Sequence, residues 1–209
     1  MGSSLADLER RLNLLLGPAA GGALPRAIAM TDVDRAPDPA RLLRGLPGGG
    51  MLILRDRNPD RLAEAARAWV PAAHRAGHKV LIAGDARLAL ATGADGVHLA
   101  EAELRRRPHV NWVRLKPGWI VTASAHGAGA VGVAAGAGAD AALLSPVFPT
   151  ESHPDAPALG ALRFAALAGP TPIAVFALGG VTRAMLRRLR GAGCAGIAGI
   201  GLFLADSDG

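Results

Sequence analysis

The chain has 209 residues, a formal net charge of +6, a single cysteine and only 3% aromatic residues. Its basic residues form no stripe interleaved with aromatic side chains, which argues against nucleic-acid binding, and no apolar run reaches the ~20 residues of a membrane span. One cysteine excludes an intramolecular disulfide and, with no signal-peptide pattern at the start of the chain, predicts a cytoplasmic protein.

Leucines at helical spacing predict a first helix over Leu5–Leu16. Eight short apolar runs follow, each of which predicts a β-strand: Ala27–Thr31, Met51–Leu54, Lys79–Ala83, Gly96–Leu99, Ile120–Ser124, Ala141–Ser145, Ile173–Ala177 and Gly196–Ile200. Helical patterns alternate with them: Pro39–Arg44, Pro59–Arg75, Ala86–Thr92, Ala128–Ala137, Ala161–Leu167 and Thr182–Arg190. Eight strand–helix units predict an α/β fold, a single (β/α)₈ TIM barrel. Residues 25–209 would form this barrel, and residues 1–24 an extra N-terminal helix with its connector.

Two helix-to-strand turns carry nearly the same sequence. One reads Gly93-Ala94-Asp95-Gly96 and the other Gly138-Ala139-Asp140-Ala141, while Gly191-Ala192-Gly193-Cys194-Ala195-Gly196 is a third variant. In each, a glycine ends a helix and a strand begins directly afterwards. This recurrence is what a repeated βα unit predicts.

Glycines follow the last two predicted strands. Gly179 and Gly180 end one apolar run, and Gly199 and Gly201 end the other. Glycine lets a backbone approach a ligand closely and point N–H groups at it, and in parallel barrels the loops after the last two strands form a phosphate site. The pattern predicts a small phosphorylated ligand. The alternative is that these glycines only end buried strands.

The carboxyl ends of the other strands carry side chains that suit an anionic substrate with a divalent metal ion. These candidates are Thr31, Asp32, Arg55, Asp56, Arg57, Asp85, His98, Glu101, Glu103, Ser124, His126, Ser145, Thr150, Ser152 and His153. Small phosphorylated molecules are therefore the expected partners, and no nucleic acid or membrane is expected. A homo-oligomer stays open, because a helix face rich in Ala and Leu fits either a core or an interface.

Several segments, in order and spacing, resemble the thiamine phosphate synthase family, which includes the thiazole tautomerases. They are Met30-Thr31-Asp32, Leu54-Arg55-Asp56-Arg57, Gly93-Ala94-Asp95-Gly96-Val97-His98-Leu99, Ser124-Ala125-His126, Ser145-Pro146-Val147-Phe148-Pro149-Thr150, Leu159-Gly160 and Ala177-Leu178-Gly179-Gly180-Val181. The resemblance runs from about Ala27 to Phe203. It implies a thiamine biosynthesis enzyme that condenses hydroxymethylpyrimidine diphosphate with thiazole phosphate and releases pyrophosphate, aided by Mg²⁺.

The resemblance also implies roles for individual residues. Arg55 and Arg57 would bind the diphosphate, and Asp85 and Glu103 would hold the metal ion. Ser124 and Thr150 would contact the diphosphate or thiazole ends, in a substrate site that also includes Ser152 and His153. Gly179, Gly180, Gly199 and Gly201 would bind the thiazole phosphate.

Several positions depart from the family pattern. Ile53 stands where the family usually has Gln, Gly84-Asp85-Ala86 replaces Asn-Asp-Arg, and Ala100-Glu101 replaces Gly-Gln. His153 replaces a Lys, Arg57 a Lys, and Gly201 a Ser. Because most of these losses concern diphosphate recognition, two alternatives stay open beside the synthase. One is a thiazole tautomerase that needs no cofactor and uses His126 as its acid–base group; the other is a noncatalytic thiazole-phosphate binder.

Overall fold

The computed structural model describes residues 5–16, 24–32, 38–106, 116–150, 157–169 and 171–204. In these residues, eight parallel strands pair in chain order, and the last pairs with the first to close a barrel. The strands are β1 Ala27–Met30, β2 Met51–Leu54, β3 Lys79–Ala83, β4 Gly96–Leu99, β5 Ile120–Ala125, β6 Ala141–Leu144, β7 Ala174–Ala177 and β8 Gly196–Gly199. The predicted TIM barrel is confirmed, and each predicted strand differs from the observed one by at most one residue at an end.

Helices cover the outside of the barrel. Within the described ranges they are α1 Leu5–Leu16, α2 Pro39–Gly45, α3 Pro59–Arg75, α4 Ala86–Thr92, α5 Glu101–Arg106, α6 Ala128–Gly136 and α7 Gly160–Ala168. The predicted N-terminal helix is confirmed with the same bounds; Leu8 and Leu12 bury its inner face. The division of the chain at residue 24 stays a prediction, because residues 17–23 lie outside the described part. No described helix is both long and apolar enough to cross a membrane.

The predicted helix over Thr182–Arg190 is wrong. The structure has only a short 3₁₀ turn there, Leu186–Leu189. Leu186 and Leu189 are both buried, and because a 3₁₀ turn repeats every three residues it points both toward the core. Positive-φ glycines at 180 and 191 bound the segment on either side.

The barrel has a separate core of its own. Inward-facing side chains fill it, and they are Ile28, Met30, Met51, Ile53, Leu81, Ile120, Ala141, Leu143, Phe176 and Ala198. The intervening strand residues pack outward against the helices in a second, larger core. This alternation follows from the two-residue period of a strand, and it explains why the strands read as continuous apolar runs.

The repeated helix-to-strand turns join neighbouring strands at the amino-terminal face. Asp95 donates its N–H to the Val80 carbonyl at 2.8 Å, and its Oδ2 accepts the Val80 N–H at 2.8 Å. Asp140 forms the same pair of bonds with Val121, at 2.8 and 2.7 Å. In the third copy, Ala195 keeps the backbone bond and lacks the carboxylate. The shared motif therefore has a structural role, away from the carboxyl-terminal face.

Candidate active site

Arg55 follows β2 at the carboxyl-terminal face, and its backbone is held by the end of β1. The Thr31 hydroxyl accepts the Arg55 N–H at 2.7 Å and donates to the Arg55 carbonyl at 3.0 Å. The guanidinium stays 46% exposed, with Nη2 4.0 Å from Asp32 Oδ2. An arginine that is fixed at its backbone and open at its head group suits the binding of an anion from solvent.

The two residues after Arg55 differ from it and from each other. Asp56 accepts two hydrogen bonds from the Arg61 guanidinium, each 2.9 Å long, and one from the Asn58 N–H at 2.7 Å. These bonds, above all those from Arg61, hold the pKa of Asp56 below its usual range. Asp56 therefore fixes the start of α3 rather than facing a ligand. Arg57 is exposed, and its role as a diphosphate ligand stays a prediction.

Asp85 directly follows Gly84 in the chain, and Glu103 approaches Gly84 from α5. Asp85 is the N-cap of α4, where its Oδ1 accepts the Leu88 N–H at 2.8 Å. Glu103 reaches over from α5, because a Cβ placed on Gly84 would lie 4.0 Å from Glu103 Oε2. No cluster of three or more possible metal ligands occurs in the described ranges. Glu103 Oε2 thus lies near the backbone that precedes Asp85, and the role of these two residues as metal ligands stays a prediction.

A buried histidine links two hydroxyls inside the barrel. His98 Nδ1 lies 2.8 Å from Thr122 Oγ1, and His98 Nε2 lies 2.9 Å from Ser124 Oγ. Burial, helped by the positive charge of Arg55, lowers the pKa of His98 to about 4. The imidazole is therefore neutral at pH 7. Ser124 is among the residues that the family resemblance predicts, whereas Thr122 is not, although the spacing of two residues places both on one face of β5.

His126 lies nearer the solvent and contacts a carboxylate. Its Nδ1 is 3.0 Å from Glu101 Oε2, while Arg105 holds the other oxygen, Oε1, at 2.8 Å through its guanidinium nitrogen. Burial raises the pKa of Glu101, but the bonds from His126 and Arg105 outweigh it, so the net pKa is lowered. An ionised Glu101 that orients an exposed imidazole is an arrangement suited to proton transfer.

The loop after β7 packs tightly against the loop after β6. Gly180 has φ +66°, and a Cβ there would lie 2.4 Å from the Pro149 carbonyl oxygen; a Cβ on Gly179 would lie 2.9 Å from Pro146 Cα. Packing against the loop after β6 alone therefore requires glycine at both positions. Nevertheless, none of the described residues supplies an acceptor for the N–H groups of Gly179 and Gly180. These amides remain available to an anion.

The loop after β8 is looser. Gly201 begins a short 3₁₀ turn, Gly201–Phe203, and has open space where a Cβ would stand. A Cβ on Gly199 would make an ordinary contact of 3.4 Å with Leu202. Thr150 is half-buried in the loop after β6, and Ser152 and His153 lie outside the described residues. The roles predicted for these five positions stay predictions.

Comparison with known proteins places these features in a family. The family model described as thiamine monophosphate synthase matches residues 27–203. A relative from Geobacter sulfurreducens is 36% identical over 172 residues, with 80% of each chain covered. A thiamine-phosphate synthase from Chlorobium luteolum is 35% identical over 180 residues, which cover 83% of this chain and 82% of the relative. The solved thiamine phosphate pyrophosphorylase from Pyrococcus furiosus has a TM-score of 0.73 at 24% identity, covers 89% and 90% of the two chains, and bears on the fold alone.

Proposed function

Since the chain belongs to the thiamine monophosphate synthase family, we propose that it joins hydroxymethylpyrimidine diphosphate to thiazole phosphate and releases pyrophosphate. The observation that carries the proposal is the position of Arg55. Its guanidinium is exposed at the carboxyl-terminal face, and its charge acts on the buried His98 that contacts Ser124. A cation and a hydroxyl at one end of the barrel can hold a leaving diphosphate.

The reaction needs charge stabilisation more than proton transfer. The bond between the pyrimidine methylene carbon and the diphosphate oxygen breaks, and the diphosphate takes the electron pair. Arg55 and Arg57 would neutralise that growing negative charge, and the Ser124 hydroxyl would hydrogen-bond to it. The amides of Gly179 and Gly180 would hold the thiazole phosphate across the barrel mouth, so that its ring nitrogen meets the carbon that the diphosphate leaves.

Asp85 and Glu103 have the chemistry to hold Mg²⁺. This ion keeps several waters and is bound through one or two carboxylates together with substrate phosphates, which a pair of carboxylates beside a diphosphate site would provide. When bound, the ion would neutralise charge on the leaving diphosphate. Asp85 can serve as a ligand only through the part of its carboxylate that the α4 cap leaves free, because Oδ1 already accepts the Leu88 N–H.

Composition supports a cytoplasmic setting for this activity. We propose that location because a single cysteine suits a reducing compartment. The proposed partners are the small phosphorylated substrates themselves, and the oligomeric state stays open.

A second candidate function rests on His126. An imidazole 3.0 Å from the Glu101 carboxylate is a suitable acid–base group for moving a proton on a thiazole carboxylate phosphate. That tautomerase reaction needs neither Mg²⁺ nor a diphosphate, and it would use only the phosphate site of Gly179 and Gly180. His126→Gln should abolish it and leave thiamine phosphate formation within about threefold of the native rate, since His126 is not required for charge stabilisation.

The proposal is tested by the formation of thiamine phosphate with and without Mg²⁺ in the native protein and in two carboxylate variants. Asp85→Asn keeps a side chain that caps helices well but removes the charge. We expect its dependence on Mg²⁺ to shift to concentrations roughly tenfold higher or more. Glu64→Gln, an exposed position on α3, is the matched control and should behave as native. Product formation that is independent of Mg²⁺, with Asp85→Asn equal to native, would contradict the proposed metal role.

A further inference from the structure

Three polar groups form a continuous chain inside the barrel. His98 of β4 pairs in register with Thr122 of β5, and Thr122 and Ser124 share the inward face because they are two residues apart. The imidazole bonds to both hydroxyls, at 2.8 and 2.9 Å. This row of hydrogen bonds begins at Thr122, which is fully buried, and ends at Ser124, which is half-buried near the barrel mouth.

A neutral imidazole carries one N–H and one bare nitrogen, so it donates to one hydroxyl and accepts from the other. Two arrangements are open. In the first, Nδ1–H donates to Thr122 and the Ser124 hydroxyl donates to Nε2. In the second, the Thr122 hydroxyl donates to Nδ1, and Nε2–H donates to Ser124. Only the second leaves the proton of the Ser124 hydroxyl unused.

Burial decides between the two arrangements. The Thr122 side chain has no solvent exposure, and within the described part of the chain His98 is its one hydrogen-bond partner. In the first arrangement its O–H would be a buried donor without an acceptor, which typically costs about 1–3 kcal/mol. In the second arrangement that proton is satisfied, and the Ser124 hydroxyl can find an acceptor in the open mouth.

We propose that His98 is a positioning residue whose Nε2–H tautomer, fixed by Thr122, holds Ser124 as a hydrogen-bond donor toward a phosphate or diphosphate oxygen of the substrate. The anionic character of that acceptor follows from Arg55, whose charge reaches His98 and whose head group is exposed at the same face. The identity of the acceptor as the leaving diphosphate rests on the proposed function. The tautomer of His98 does not depend on that function.

The first test is the tautomer of His98, read by long-range ¹H–¹⁵N correlation on the full chain labelled with ¹⁵N-histidine at pH 7. The His98 resonances are identified as those lost in His98→Asn. We expect a protonated Nε2 and a bare Nδ1, and Thr122→Ser should keep this pattern because it keeps the hydroxyl. A protonated Nδ1 in the native protein overturns the proposal.

The second test is a double-mutant cycle on the Kd of inorganic pyrophosphate, measured by calorimetry. Thr122→Val should weaken binding roughly fivefold or more in the native background and less than twofold in the Ser124→Ala background, because Thr122 acts through the Ser124 hydroxyl. Thr122→Ser should restore native binding, and Thr92→Val, a hydroxyl removed from α4, is the control. An equal effect of Thr122→Val in both backgrounds, or no pyrophosphate binding by the native protein, contradicts the proposal. If the double-mutant cycle gives the expected result but the protein forms no thiamine phosphate, only the proposed function is contradicted.

Discussion

The carboxyl-terminal face has two unlike halves. The side-chain half, after β2 to β5, presents Arg55, Asp85, His98, Ser124 and His126. The backbone half, at the ends of β7 and β8, contains the glycines at 179, 180, 199 and 201, of which Gly179 and Gly180 have amides without an acceptor among the described residues. Ile53, which stands on β2 where the family usually has Gln, packs in the barrel interior next to the side-chain half. In the backbone half, two glycines are fixed by contacts of 2.4 and 2.9 Å that any Cβ would make. The side-chain half therefore depends on the chemistry of its side chains, and the backbone half on the close packing of its glycines.

The largest expected effect is in the backbone half. Gly180→Ala would place a Cβ 2.4 Å from the Pro149 carbonyl oxygen at φ +66°, so the loop must shift or the fold must lose stability. We expect a loss of about 3 kcal/mol or more in the free energy of unfolding, measured by urea denaturation. Gly201→Ala, where a Cβ has open space, is the matched control and should lose less than about 1 kcal/mol. If both variants lost the same free energy of unfolding, the closely packed Gly180 and the unhindered Gly201 would not differ in their effect on stability.

The next largest effect is the pH dependence of stability that comes from His98, the buried residue of the side-chain half. The pKa of His98 is about 4 in the folded protein, below the unfolded value of about 6.5, so the unfolded chain takes up the proton first. The stability that this residue contributes is complete above pH 6.5 and is lost as the pH falls toward 4, by about 3 kcal/mol in all.

Unfolding free energies at pH 7 and pH 4 measure this loss, with His98→Asn as the comparison because it carries no titrating group. The native protein should lose about 3 kcal/mol more than the variant over this range. Identical pH dependence in the two proteins would show that His98 is not held neutral by the barrel.

A smaller effect, on pyrophosphate binding, is expected at Arg55, an exposed residue of the same half. Arg55→Ala should weaken pyrophosphate binding roughly tenfold, about 1.4 kcal/mol, because the guanidinium is exposed and its contacts are partly screened by solvent. Arg67→Ala removes the same charge from an exposed position of α3 and controls for the change in net charge. The Kd of pyrophosphate is measured by calorimetry for both variants. Equal weakening of pyrophosphate binding in the two would indicate that the net charge of the protein attracts the ligand and that Arg55 does not bind it directly.

The smallest effect returns to the backbone half. Gly201→Ser introduces the residue that the family usually has there, at a position with space for it. We expect thiazole phosphate to bind about two- to fivefold more tightly through the added hydroxyl, with unfolding free energy changed by less than about 1 kcal/mol. Weaker binding of thiazole phosphate would mean that the ligand does not lie against this turn.

The barrel could be predicted because each strand is an apolar run bounded by turn residues, and the observed strands differ by a residue at most. The repeated turns are visible as a sequence motif. Local sequence does not show, however, that Asp95 and Asp140 in these turns accept hydrogen bonds from backbone N–H groups of the neighbouring strand. The link between His98 and Thr122 likewise depends on the register between β4 and β5. The basic segment Thr182–Arg190 before β8 is predicted as an α-helix, but the structure forms only the 3₁₀ turn Leu186–Leu189 there, which local sequence does not distinguish from an α-helix.

The central claim is that the altered side-chain half still supports transfer from a diphosphate. The most direct test is a side-by-side assay of the native protein for thiamine phosphate formation from the pyrimidine diphosphate and thiazole phosphate, and for tautomerisation of the thiazole carboxylate phosphate. We predict Mg²⁺-dependent thiamine phosphate with stoichiometric pyrophosphate. Tautomerisation that disappears in His126→Gln, with no thiamine phosphate formed at any Mg²⁺ concentration, would contradict the synthase account.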